Sequence, residues 1–201
     1  MKIAAVFFAD GFEEIEGLSP VDYLRRGGIN VITVGIPTNS KTDQMNLSKR
    51  QIVTGARGVQ IITDTTLDEY LKDYNEKLPD CIVCPGGSVG AVNLSETTEL
   101  LAHIEKCFAA GKLTTAICAS PAVVFGKTSI LKNKNWTCYS GMEGEAKEEF
   151  LSGYSNKPFI TDGNIVTGRG PGASEQFSME LVKILAGGEV AAKVHDSSQQ
   201  R

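Results

Sequence analysis

The stretch Thr115-Ala116-Ile117-Cys118-Ala119-Ser120-Pro121-Ala122 carries the first chemistry in this chain. A short apolar run, Leu113 to Ile117, stops at a cysteine, and small residues and a proline follow at once. A residue on a sharp strand-to-helix turn is pushed up and out of a sheet, and such turns need small neighbours. Ala116, Ala119 and Ser120 supply them. A following helix would aim free N–H groups and a positive dipole end at the sulfur, which favours the thiolate and hence a nucleophile. The Ala119 N–H could also hold a developing oxyanion, and Gly86-Gly87, with no side chains in the way, could add a second donor. The alternative is a core cysteine packed beneath a helix.

A partner group bears on that choice. Glu16 falls in an apolar-spaced segment, where a glutamate is expensive unless it has a use. Glu13 and Glu14 suit a solvated first helical turn beside the positive dipole end, and for Glu16 that reading and a site role both stay open. The histidines exclude one class of mechanism. A cysteine protease or amidotransferase needs a histidine base held by a third group. Only His103 and His195 exist. The first reads as lying on the polar face of its helix and the second in the terminal tail, so neither is placed to meet Cys118.

The remaining cysteines are Cys81, Cys84, Cys107 and Cys138. An odd total of five argues against a disulfide framework and for a reducing compartment, read as the cytoplasm. Cys81-Ile82-Val83-Cys84 has the spacing of a zinc or redox pair, but it lies in an apolar strand-like run. Positions three apart in a strand face opposite ways, so both read as core residues and no metal is expected.

Elements must hold these residues in place. Residues 2–8 read as a buried strand rather than a signal peptide, because Asp10, Glu13 and Glu14 follow it. Residues 13–26 have helical spacing through Ile15, Leu18 and Leu24, with Gly27-Gly28 as the stop. A second strand covers 30–36, a polar loop 37–50, and a hairpin 51–54 with 59–63 around the glycines of 55–58. A short helix follows at 66–72 and a buried strand at 80–84, ending in Pro85-Gly86-Gly87. From Ser95 an amphipathic helix places Leu100, Leu101, Ile104 and Phe108 on one face and Glu96, Glu99, His103 and Lys106 on the other. Later strands are read at 113–117, 136–139 and 165–167, with helices at 119–125 and 174–185. The pattern predicts one domain over 1–194 and a frayed polar tail over 195–201.

Strands alternating with helices imply an α/β sandwich around a mostly parallel sheet. Such sheets gather ligand sites at strand carboxyl ends near a topological switch point. Asp10 to Glu16, Pro85 to Gly87 and Cys118 all fall at such ends. The net charge of −4 gives no electrostatic reason to bind nucleic acid or an anionic membrane. No apolar run approaches the ~20 residues of a membrane span.

At these residues the chain resembles a known family. "FEEIE", "CPGGSVGAVNLSE", "AICASPA" and "GRGPGASEQF" together resemble the ThiJ/PfpI superfamily, and within it the small single-domain DJ-one (parkinsonism-associated deglycase) branch. The resemblance runs in unbroken order from Lys2 to about Val194. It implies a flavodoxin-like sandwich and a homodimer. It also implies Cys118 as the oxidation-prone nucleophile, Glu16 as the protonated carboxyl bonded to the sulfur, and Gly87 and Ala119 as backbone donors. Arg57 matches an arginine near pocket and dimer interface, and Pro171 a proline lining the pocket. Tyr139 stands where many relatives carry a histidine, and Ala119 stands where the protease-like branch has one. The implied activity is cofactor-free detoxification of dicarbonyl aldehydes, as a glyoxalase on free methylglyoxal or glyoxal or as a deglycase on their adducts with amines or thiols. The competing readings are a redox sensor or chaperone that works by oxidation of Cys118, and a binding module with an inert cysteine.

Overall fold

The computed structural model describes residues 1–37 and 51–200; most of the polar loop read at 37–50, and Arg201, lie outside the described residues. In chain order the elements are β1 (Ile3–Phe8), α1 (Glu14–Arg26), β2 (Asn30–Gly35), β3 (Ile52–Thr54), β4 (Gln60–Ile62), β5 (Thr65–Thr66), α2 (Leu67–Tyr74), β6 (Cys81–Cys84), α3 (Ser88–Glu96) and α4 (Thr98–Ala109). They continue with β7 (Leu113–Ile117), α5 (Ser120–Val123), β8 (Phe159–Asp162), β9 (Ile165–Gly168), α6 (Ser174–Ala186) and α7 (Gly188–Ser197).

Seven strands form one sheet in the order β5-β2-β1-β6-β7-β9-β8, parallel except for the edge pair β8–β9, and β3–β4 make a separate antiparallel hairpin. This is a flavodoxin-like α/β fold. Successive side chains of each strand point to opposite faces, and because helices cover both faces, both sets are buried. In β1, Ala5 and Phe7 enter the core beneath α2 and α4, while Ala4, Val6 and Phe8 enter the core beneath α1, α6 and α7. Cys81 and Cys84 of β6 divide the same way, one to each core, both fully buried.

Several expectations are corrected. Residues 136–139 form no strand of the sheet, only an isolated bridge from Trp136 to Tyr154. The helix read from Ser95 is two helices, α3 and α4, meeting at Thr97. The tail expected to fray from His195 continues α7 through Ser197. On α1, Ile15 is 53% exposed and Leu18 38% exposed. The buried stripe is instead Glu16, Gly17, Pro20, Val21 and Leu24. Gly17 explains the difference, since a Cβ there would collide with the ring of Phe8. The helix lies too close to β1 for a large side chain at that position, so small residues own the buried face.

Candidate active site

Four consecutive sheet neighbours, β1, β6, β7 and β9, run parallel and end on the same side. The chain leaves β1 for β2 and β5 on one flank and returns through α2 to β6 on the other, which makes this the switch point where such sheets bind ligands. Cys118 is the first residue past β7. Its N–H donates to Gly168 O (2.8 Å), and its carbonyl accepts from Tyr139 N (2.8 Å). Its φ of 65° lies in the left-handed region. For a non-glycine residue this costs on the order of 1–3 kcal/mol, held in place by the flanking strands. The Ser120 hydroxyl bonds Pro85 O and ties the elbow to the loop after β6. The helix expected over 119–125 is only the four residues of α5 followed by a 3₁₀ turn. Individual amides, rather than a long dipole, therefore meet the sulfur: Gly87 and Ala119 both donate to it.

Glu16 is fully buried. Its Oε2 accepts the Gly86 N–H at 3.0 Å, its Oε1 has no nitrogen or oxygen partner, and the carboxyl shares a hydrogen bond with Cys118. Gly86 must be glycine, because a Cβ there would collide with both Cys118 and Glu16 Oε2. Burial pushes the Glu16 carboxyl up to about 7; the Cys118 and Gly86 hydrogen bonds oppose that, and repulsion from Glu13 adds to it. The Cys118 thiol is also pushed up, chiefly by burial and then by the Glu16 charge and hydrogen bond, against the pull of the Gly87 and Ala119 amides.

The two groups form one coupled pair. When Glu16 holds the proton, its repulsion vanishes and the neutral carboxyl donates to sulfur beside the two amides. A neutral Glu16 and a thiolate are thus the mutually stabilising arrangement.

Cys118 lies at one wall of a cleft of about 600 Å³, with Glu16 buried behind it. Cys118, Gly87, Ala119, Arg57, Tyr139 and Pro171 all line it, and Gly86 sits just behind. Cys118 keeps 7% of its surface exposed, whereas the other four cysteines keep none. Glu13 caps α1 by accepting the Glu16 N–H at 2.9 Å. Glu14 is not simply solvated: it packs against Gly55 and accepts the Arg57 N–H at 2.6 Å, holding the hairpin loop over the cleft. Val89, Ser140 and Met142 also line the cleft and were missed from sequence. Val89 falls inside the quoted "CPGGSVGAVNLSE" stretch, but Ser140 and Met142 follow a non-sheet segment with no periodic signal.

The histidines lie away from this cleft. His103 is buried, not on a polar face; its Nε2 meets Tyr70 Oη at 3.1 Å and Cys107 Sγ at 3.5 Å, against the opposite core. Burial lowers its pKa to about 4. His195 is exposed on α7. Among the described residues, no group of three or more His, Cys, Asp or Glu side chains could hold a metal ion, and no helix is long and apolar enough to cross a membrane.

Comparison with known proteins identifies the family. The DJ-1/PfpI family model matches residues 2–184. The chain is 34% identical to the Parkinson disease protein 7 homolog of Danio rerio, over 96% of this chain and 94% of the relative. It is 28% identical to the glutathione-independent glyoxalase DJ-1 of Schizosaccharomyces pombe, over 92% of each. Its fold superposes on oxidized Toxoplasma gondii DJ-1 with a TM-score of 0.85 and 28% identity, covering 99% of this chain and 98% of the other. A switch-point cleft with a cysteine on a strained elbow, and this match along nearly the whole chain, have one conclusion: the chain belongs to the DJ-1/PfpI family.

Proposed function

We propose that the protein detoxifies reactive dicarbonyl aldehydes through Cys118, with Glu16 as the proton shuttle and without a cofactor. The observation that carries this reading is the fully buried Glu16 carboxyl, one oxygen on the Gly86 N–H and the other without a nitrogen or oxygen partner, hydrogen-bonded to a thiol that reaches an open cleft.

The thiolate adds to the aldehyde carbon of methylglyoxal, and Glu16 protonates the new alkoxide to give a hemithioacetal. The Glu16 carboxylate then removes the former aldehyde proton, and the electron pair moves to give an enediol. Reprotonation at the neighbouring carbon and collapse to the carbonyl leave a 2-hydroxyacyl thioester. Water cleaves the thioester, releasing lactate and restoring the thiolate; glyoxal gives glycolate by the same steps. In this reading the Gly87 and Ala119 amides, which donate to the sulfur, hold the oxyanions as they form. Adducts of these aldehydes on amines or thiols could enter by the same attack.

The test is methylglyoxal turnover by purified protein with free thiols removed, beside Cys118→Ser. Lactate formation that depends on Cys118 is expected; equal rates in both proteins would overturn the assignment. A second reading, oxidation sensing at Cys118, draws on its being the one cysteine with exposed surface and on the oxidized state of the Toxoplasma gondii relative. Exposed Ile15 and Leu18 on α1, with Arg57 nearby at the cleft rim, support a homodimer, which light scattering would detect.

A further inference from the structure

A second recess of about 330 Å³ adjoins the Cys118 cleft. The two share Tyr139, Ser140 and Pro171. Arg169 lines the recess but not the cleft. Its backbone is fixed close to the elbow: Gly168, one residue earlier, accepts the Cys118 N–H, and Arg169 N donates to Pro158 O at 2.9 Å. Tyr139, shared by both cavities, is tied to the same point, because its N–H donates to the Cys118 carbonyl. The cleft thus brings a thiol, and the adjoining recess a guanidinium, to a shared set of lining residues.

We propose that this recess is an anion subsite of the Cys118 cleft, in which Arg169 receives the carboxylate or phosphate of an aldehyde, or aldehyde adduct, whose carbonyl reaches Cys118. The proposal rests on the aldehyde reading above and narrows its substrate class. Arg169 is half-buried and makes no ion pair among the described residues. Its Nη1 donates to Asn156 Oδ1 at 3.3 Å, and the Ser140 hydroxyl donates to the same oxygen at 3.1 Å. That arrangement orients the guanidinium and uses one of its five N–H donors, leaving a fork that suits a two-oxygen anion. The acids of the neighbourhood are engaged elsewhere: Glu13 caps α1, and Glu143 accepts the Gly141 N–H at 2.8 Å. Methylglyoxal itself has no group to place there, whereas an adduct on an amino acid or a phosphate-bearing aldehyde does.

The experiment measures iodoacetamide labelling of Cys118 by peptide mass spectrometry, with and without malonate or inorganic phosphate. Parent, Arg169→Gln, Arg169→Lys and Arg57→Gln are compared. Each anion should slow labelling of the parent, and the concentration needed should rise roughly tenfold in Arg169→Gln, the usual effect of losing a charge-assisted hydrogen bond. Arg169→Lys should recover part of the protection, which a merely misfolded recess would not. Stronger protection by malonate assigns carboxylate substrates, and stronger protection by phosphate assigns phosphorylated ones. Protection that survives in Arg169→Gln, vanishes only in Arg57→Gln, or is absent from the parent overturns the proposal. So does a Cys118 that takes no label, since the cleft would then be closed. Failure of methylglyoxal turnover would remove the enzyme reading while leaving anion protection standing, so the two failures can be told apart.

Discussion

Two buried clusters in this molecule pair a cysteine with a titratable partner, and only one of them has the means to react. Cys118 and Glu16 lie at the carboxyl ends of the strands, beside an open cleft and with backbone amides on the sulfur. Cys107, His103 and Tyr70 lie against the other face of the sheet, with both rings stacked edge-on to Phe7 and Cys107 fully enclosed. By residue type the second cluster looks the better equipped, since it holds the histidine. Burial raises the Cys107 thiol, as it also raises that of Cys118, and keeps the His103 imidazole neutral. What Cys118 has in addition is the two amides that pull its thiol back down and the opening to the cleft. Reactivity here follows the backbone and the opening, not the list of side chains.

The sharpest way to break that comparison is turnover. Glu16→Gln keeps a donor to sulfur but loses the transferable proton, so methylglyoxal turnover should fall on the order of 100-fold or more. His103→Gln and Cys107→Ser should stay within a few-fold of the parent. A comparable loss from either would make the enclosed cluster part of the chemistry.

Oxidation should sharpen the contrast next. Mild peroxide should modify Cys118 at least about tenfold faster than Cys107, because attack needs both thiolate and access. Peptide mass spectrometry that finds the two equally oxidised would remove the distinction between them.

Stability against pH gives a smaller effect with opposite signs. Burial holds the Glu16 carboxyl up at about 7 in the fold against 4.5 for an ordinary glutamate, so between these values the folded state holds more protons than the unfolded chain. Stability from this group is present below 4.5 and is lost as pH rises toward 7, by about 3 kcal/mol in all. His103 titrates near 4 against 6.5, so the unfolded chain holds more protons and stability is lost as pH falls from 6.5 toward 4, by a similar amount. Denaturant melts should therefore show Glu16→Gln flattening the loss between pH 5 and 7, and His103→Gln flattening the acid side. Unchanged slopes would mean that the two groups are not held as neutral as their burial implies.

The smallest expected change is in labelling. Glu16→Leu removes the donor to sulfur and should move the pH limb of Cys118 alkylation upward by about one unit or more. A downward shift would show that Glu16 acts on the thiol mainly as a charge.

Much of this was legible in the residues. Leu113 to Ile117 followed by Cys118 and small residues spelled a strand and its elbow, because period, size and the run's abrupt end all report local backbone geometry. The α/β alternation and the opposed faces of Cys81 and Cys84 followed from the same periodicity. Where the chain lacks periodicity the reading failed: residues 136–139 were apolar enough for a strand, yet they only carry Tyr139 to the elbow. His103 was assigned to a polar face because helical spacing ranks it with Glu96, Glu99 and Lys106, whereas α2 supplies Tyr70 to cover it. Ile15 and Leu18 were assigned inward because apolar spacing cannot tell that Gly17 lets α1 settle onto Phe8.

By itself, then, the sequence determined the strand and helix order, the elbow cysteine and the family motifs, since these depend on neighbours along the chain. Only the tertiary structure decided that Glu16 is sealed from water beside Cys118, and that Glu14 holds the Arg57 loop. It also decided that the cleft shares Tyr139, Ser140 and Pro171 with a recess lined by Arg169. Each of these depends on groups brought together from distant parts of the chain, and burial, which sets the charge of Glu16, is a property of that packing and of no single stretch.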